Sequence, residues 1–94
     1  MKTQLYRLVK ENRPLFWSVG ETHLKDLSEL SVVEAILNYG NLDSVRKLFE
    51  LLGTEKVADI FYWRQSQKRS NYHPQVAHFF DAYFKRHVQK YSKS

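Results

Sequence analysis

The sequence predicts an all-α fold, a compact bundle of four to five short helices with tight helix–turn–helix connections. Three observations carry that reading. Apolar residues recur at three- and four-residue intervals along most of the chain, and no segment shows the two-residue alternation of a half-buried strand. Gly40 and Gly53 each stand directly after a periodic segment and directly before residues able to cap the next one. The 94 residues hold no repeat, low-complexity run or linker, so a single domain is expected over 1–94, with a helix or arm at 1–13 and the core at 14–91.

Taken in order, Thr3 to Glu11 has Leu5, Leu8 and Val9 at helical spacing, and Asn12-Arg13-Pro14 ends it. Leu15-Phe16-Trp17 is expected to plug the core, and Val19-Gly20 reads as a turn. Ser31 to Tyr39 forms a helix with Val32, Val33, Ile36 and Leu37 on its apolar face, stopped by Gly40 in left-handed geometry. Asn41 or Asp43 caps the next helix, in which Val45, Leu48, Phe49 and Leu52 fill the i, i+3, i+4, i+7 pattern. Gly53 ends that helix, and Thr54 is expected to cap another carrying Val57, Ile60 and Phe61. Tyr62 to Tyr72 lacks a clear apolar face and reads as a helix end plus a loop. His73-Pro74 opens the last helix, with proline at the first helical position, where its missing N–H costs nothing. Val76, Phe79, Phe80, Tyr83, Phe84, His87, Val88 and Tyr91 make its wide aromatic stripe, which suits either a core face or a homodimer seam.

Composition narrows the function classes. With 43% hydrophobic residues and no cysteine, stability must come from apolar packing, and disulfide scaffolds, thiol catalysis and cysteine-ligated zinc are excluded. The first residues contain no long apolar stretch of a signal peptide, and no run reaches the roughly 18 apolar residues of a membrane span, so a soluble cytoplasmic protein is expected. Residues 1–60 carry eight Lys/Arg against nine Asp/Glu, whereas residues 61–94 carry seven against the single Asp81. All the excess positive charge therefore sits in the last third, which points to an acidic partner, either nucleic acid or an acidic protein face.

Catalytic constellations are weakly represented. His73 and His78 are five residues apart, off the i, i+4 spacing that would align two ligands. His78 and Asp81 share a helical face but make two ligands where catalytic zinc takes three. His87 lies on the apolar stripe and reads as a packing residue. Arg69 and His73 suggest the Arg–His pair of small helical RNases at too short a spacing, and His73 also fits a helix cap. Three scattered glycines build no phosphate-cradling loop. Val45–Arg64 has the outline of a DNA-reading helix-turn-helix, but Phe49 occupies a position that favours a small residue, and Glu55 and Asp59 make the second helix too acidic to enter a groove. No enzyme, metal or cofactor is expected.

A binding constellation is better represented. Tyr62, Trp63, Arg64, Lys68, Arg69 and Tyr72 join cations to flat stacking faces, with Gln65, Gln67 and Asn71 as amides between them. Such residues suit phosphate and base contact and are equally those enriched at protein–protein hot spots. They form the expected contact site, with Lys85, Arg86 and Lys90 as secondary basic contacts.

Several segments resemble, in order, one family pattern: Leu15-Phe16-Trp17, Val33 through Leu42, Leu51-Leu52-Gly53 with Lys56-Val57, and His73-Pro74 with Ala77-His78-Phe79-Phe80. They are similar to a family of small bacterial domains of unknown function, often encoded beside nucleotidyltransferase-like toxins of the AbiEii type. The match covers about residues 14–84, and its more specific parts are the Leu-Phe-Trp anchor and the Leu-x-Tyr-Gly helix end. The chain departs from the pattern at Phe80, where tryptophan is expected, and in a longer, more basic Tyr62–Tyr72 stretch. The resemblance implies an antitoxin-like protein that neutralises a cognate toxin by direct contact, with operator DNA as a further partner and no catalytic residues. The alternative reading is a nucleic-acid-binding accessory or regulatory domain.

Overall fold

Five α-helices carry the chain, in a computed structural model that describes residues 3–67 and 71–92. They are α1 (Thr3–Glu11), α2 (Glu29–Tyr39), α3 (Leu42–Leu52), α4 (Thr54–Gln65) and α5 (Pro74–His87). Three 3-10 turns, Arg13–Phe16, Glu21–Asp26 and Gln89–Tyr91, complete the order, and no strand occurs among the described residues. The predicted all-α bundle is what forms.

The expected period-3.6 faces are the buried ones. Leu5, Leu8 and Val9 bury α1, so Thr3–Glu11 is a packed helix rather than an arm. Val32, Val33, Ile36 and Leu37 bury α2, and Val57, Ala58 and Phe61 bury α4. α2 packs on α3 and α4, α1 on α3, and α5 on α4, which joins all five helices around one apolar cluster running from Leu5 to Val88. Asn12 ends α1 and ties it across to α3: its amide donates to the Leu8 carbonyl at 2.9 Å, and its Oδ1 accepts from the buried Ser44 hydroxyl at 2.7 Å.

Several local expectations are corrected. α2 begins two residues earlier than its apolar face suggests, because the Ser28 Oγ accepts the Ser31 N–H at 3.1 Å and so caps the helix before Glu29. Asn41, not Asp43, caps α3, with its Oδ1 2.8 Å from the Ser44 nitrogen. Thr54 is already inside α4 and makes no side-chain cap; the capping position is Gly53. The segment Glu21–Asp26, unassigned in the sequence, is a 3-10 turn in which Leu24 is fully buried. Of Leu15-Phe16-Trp17, Phe16 is buried and Leu15 half-buried, while Trp17 is 82% exposed. A 3-10 turn rotates about 120° per residue, so three consecutive side chains cannot share one inward face. Arg13 braces this turn by donating to the Phe16 carbonyl at 2.7 Å and the Val19 carbonyl at 3.0 Å.

The two helix-ending glycines are required for different reasons. Gly53 has φ +88°, a conformation that side chains with a Cβ rarely take. Gly40 is extended at φ −75°, contrary to the left-handed stop expected there. Its constraint is space, since a Cβ would lie 2.6 Å from the Ile36 carbonyl oxygen. That oxygen is backbone and already accepts the Gly40 N–H at 2.8 Å, so it cannot move aside cheaply. Gly40→Ala is expected to cost about 1–3 kcal/mol, read as a lower urea midpoint with unchanged slope.

α5 stops at His87, where Val88 turns extended and buried before the final 3-10 turn. The aromatic stripe is thereby divided. Phe80 and Phe84 point into the core, Phe79 and His87 are exposed, and Tyr83 is half-buried.

Candidate functional site

Of the basic, aromatic stretch expected to be the contact site, Tyr62, Arg64 and Tyr72 are engaged within the fold. Tyr72 is buried with its ring centroid 5.0 Å from that of Phe61, so it offers no surface to a partner. Tyr62 is half-buried; its hydroxyl donates to Asp81 Oδ1 at 2.8 Å, and its ring lies 4.3 Å from that of Tyr91. Arg64 gives its Nε to Glu34 Oε2 at 3.0 Å, and Asn71 donates to the other oxygen of the same carboxylate at 3.0 Å. Trp63 alone of the described members stays half-exposed, at 50%. Lys68 and Arg69 lie outside the described residues.

The secondary cations divide in the same way. Lys85 holds Asp81 and Lys90 holds Asp59, each at 3.0 Å, whereas Arg86 makes no ion pair among the described residues. The sequence asymmetry in charge is therefore reduced in space: Glu34 and Asp59, from the first sixty residues, fold back onto Arg64 and Lys90.

His73 is not a side-chain cap. Its N–H donates to Asn38 Oδ1 at 3.1 Å, and its Nε2 lies 2.9 Å from the Tyr39 hydroxyl. Asn38 also donates to the Asn71 carbonyl at 3.1 Å, so the end of α2 fastens both sides of Tyr72. His87 is exposed rather than packed in the core, its ring 4.4 Å from Tyr83. Among the described residues, no three His, Asp or Glu side chains are grouped to hold a metal ion, and no helix is long and apolar enough to cross a membrane.

Asp59 holds the C-terminal turn and Asp81 ties α5 to Tyr62 of α4, and the acidity of both carboxylates is shifted. The Tyr91 hydroxyl and then the Lys90 ammonium hold Asp59 below the ordinary carboxyl value, and the Tyr62 hydroxyl and then Lys85 do the same for Asp81. Burial, then Asp59, pushes Tyr91 up to about 12. A lowered carboxyl pKa stabilises the fold above the unfolded value of 3.8 and loses that contribution as pH falls through the folded value. Acidification from about pH 5 towards 2 is thus expected to loosen the Gln89–Tyr91 turn, followed by the Tyr62 and Tyr91 ring resonances. Asp59→Asn should remove most of that response at Tyr91.

An open apolar groove lies between the first half of α3 and the middle of α5. Leu42, Val45, Arg46 and Phe49 recur at i, i+3, i+4, i+7 and line one wall. Phe79 and Tyr83, one turn apart on α5, line the other, with Leu37 and Phe80 as the buried base. Its volume is about 270 Å³. A second depression of about 210 Å³, bounded by Phe79, Ala82, Tyr83, Arg86 and His87, shares Phe79 and Tyr83 with it. Leu42 is 76% and Phe79 60% exposed. The rings of Phe49 and Tyr83 come within 5.7 Å, and those of Phe79 and Tyr83 stack at 6.3 Å, so the two walls share one aromatic array.

Comparison with protein-family models, curated proteins and solved structures finds no match. The site is therefore read from its own chemistry. It has a solvent-open apolar surface, two guanidinium groups at its margin and no carboxylate among the lining residues.

Sequence reasoning left the α5 members of this groove, Phe79 and Tyr83, open between a core face and a homodimer seam, and did not single out Leu42 or Arg46. The width of the stripe was the signal: α5 carries two adjacent apolar rows, of which Phe80/Phe84 is buried while Phe79 is exposed and Tyr83 half-buried.

Proposed function

We propose that this chain is a non-enzymatic binding protein that acts by direct protein–protein contact, with the α3–α5 groove as its docking surface. The carrying observation is the exposure of Leu42 and Phe79 beside Val45, Phe49 and Tyr83 in one continuous apolar surface. Leaving such residues in water forgoes roughly 1.5–3 kcal/mol per large side chain, which a partner recovers by covering them. Aromatic and arginine side chains around an apolar centre are the composition of interface hot spots.

Within that reading, the resemblance of the Leu15-Phe16-Trp17 and Leu37-Asn38-Tyr39-Gly40 segments supports an antitoxin-like role, neutralising a nucleotidyltransferase-like toxin in the cytoplasm. Operator DNA would then be a secondary ligand. Nucleic acid as the main partner has less support, because Arg64, Lys85 and Lys90 already hold carboxylates.

The test is co-expression with the protein encoded beside it, followed by pull-down and growth measurement. The wild type should co-purify and relieve toxicity. Phe79→Asp should lose both while melting normally, and Trp63→Ala should lose neither. A partner retained by Phe79→Asp but lost in Trp63→Ala would return the contact to the end of α4.

A further inference from the structure

We infer that the groove takes an amphipathic helix bearing acidic side chains, supplied by a chain other than this one. This inference rests on the protein-binding reading above and specifies the chemistry of the partner segment.

Size comes first. The Phe79/Tyr83 row lines both depressions, of about 270 and 210 Å³, so they are two shallow sites beside one aromatic row. They are sized for separate side chains projecting from one backbone. Their walls are two helices, the setting in which a third lays its apolar row into the groove with anchors at i, i+4 and i+7.

Charge decides what flanks those anchors. Arg46 lines the larger depression and Arg86 the smaller, and no Asp or Glu lines either. Lys47, Lys56, Arg64, Lys85 and Lys90 each have a carboxylate within 4 Å; Arg46 and Arg86, like Arg7, Lys10, Arg13 and Lys25 away from the groove, form no ion pair among the described residues. The neighbouring acids are engaged elsewhere: Asp43 pairs with Lys47, Asp81 with Lys85 and Tyr62, and Glu50 lines a separate depression against α1. Both guanidinium groups are thus available to a carboxylate brought by the ligand.

The same charges argue against a second copy. A two-fold pairing through this face would bring Arg46 and Arg86 of both copies together in an interface with no carboxylate. They also argue against single-stranded nucleic acid, which needs cations tracking the backbone alongside its stacking rings. Here two arginines border a surface that is as aliphatic, at Leu37, Leu42 and Val45, as it is aromatic.

The probe is a helix-stabilised peptide of about fifteen residues with leucines at i, i+4 and i+7 and glutamates at both ends. A lysine-ended counterpart and an oligothymidylate accompany it. Binding is followed by fluorescence anisotropy and by NMR shifts of the full chain. The glutamate peptide should bind about tenfold or more tighter than the lysine peptide and shift Val45, Phe79 and Tyr83. Arg46→Glu with Arg86→Glu should invert that preference while leaving the melting temperature in place. Equal affinity for the two peptides, shifts remote from the groove, preference for the oligothymidylate, or self-association abolished by Phe79→Asp would each overturn the inference. If the cognate partner is lost on Phe79→Asp but indifferent to the double arginine reversal, protein binding stands and the acidic helix does not. If Phe79→Asp itself has no effect on that partner, the docking surface falls as well.

Discussion

Phe84→Ala is expected to lower the stability of the fold by about 3–5 kcal/mol, and Phe79→Ala, on the same helix, by less than about 1 kcal/mol. The two residues have the same side chain and are separated by little more than one helical turn. What differs is their surroundings. Phe84 is fully buried, with ring centroids 5.4 Å from Phe61, 5.8 Å from Phe80, 5.9 Å from Phe49 and 5.7 Å from Tyr83. Truncating it removes the transfer energy of the ring and opens a cavity that its rigid aromatic neighbours, Tyr62 at 6.1 Å among them, cannot readily close. Phe79 is 60% exposed and loses little on truncation, because the space it vacates is already solvent. Domains of this size have stabilities of about 5–15 kcal/mol, so Phe84→Ala should leave a marginal fold and Phe79→Ala a normal one. Urea unfolding of both variants measures the contrast. Comparable losses at the two positions would mean that the Phe79 row is core, and the groove would then be lost as a docking surface.

The same contrast marks how far the sequence was legible. Periodicity located every α-helix, because each buries a row of apolar residues at three- and four-residue spacing. Gly40 and Gly53 marked the right boundaries, although only Gly53 is left-handed. What periodicity does not encode is which of two adjacent apolar rows has a neighbour. On α5 that depends on α4 lying against Phe80 and Phe84 while Phe79 and Tyr83 face a gap. Nor does the burial of Leu24 make a pattern, so its turn left no trace in the sequence. Charge misled for a related reason. Counted along the chain, the last third is strongly basic, but Arg64 and Lys90 meet Glu34 and Asp59 only after residues some thirty positions apart are folded together. The expected contact site at 62–72 rested on that linear count together with the interleaved aromatic and amide side chains.

Tyr72→Ala provides the decisive check on that correction, with an expected cost of about 3–5 kcal/mol. In a domain of this length that corresponds to a melting temperature lower by roughly 12–25 °C or more. The loss has a specific origin. The chain leaving α4 must turn back into α5, and Tyr72 is the residue of the described return that is inserted into the core, against Phe61. Burial raises its hydroxyl well above the usual tyrosine range, so the side chain stays neutral at working pH. On either side, Asn71 is fastened to Glu34 and Asn38, and the His73 backbone to Asn38. Removing the ring therefore empties a site whose flanks are tethered and cannot collapse into the space, the condition under which cavity costs are largest. A contact residue behaves in the opposite way, since its truncation weakens partner capture and leaves the melting temperature nearly unchanged. Melting Tyr72→Ala beside Trp63→Ala separates the two roles within one stretch of chain. A normal melt for Tyr72→Ala with lost partner binding would restore residues 62–72 as the contact site. A collapsed melt for Tyr72→Ala, with a near-native one for Trp63→Ala, assigns Tyr72 to the core and leaves the proposed α3–α5 surface standing.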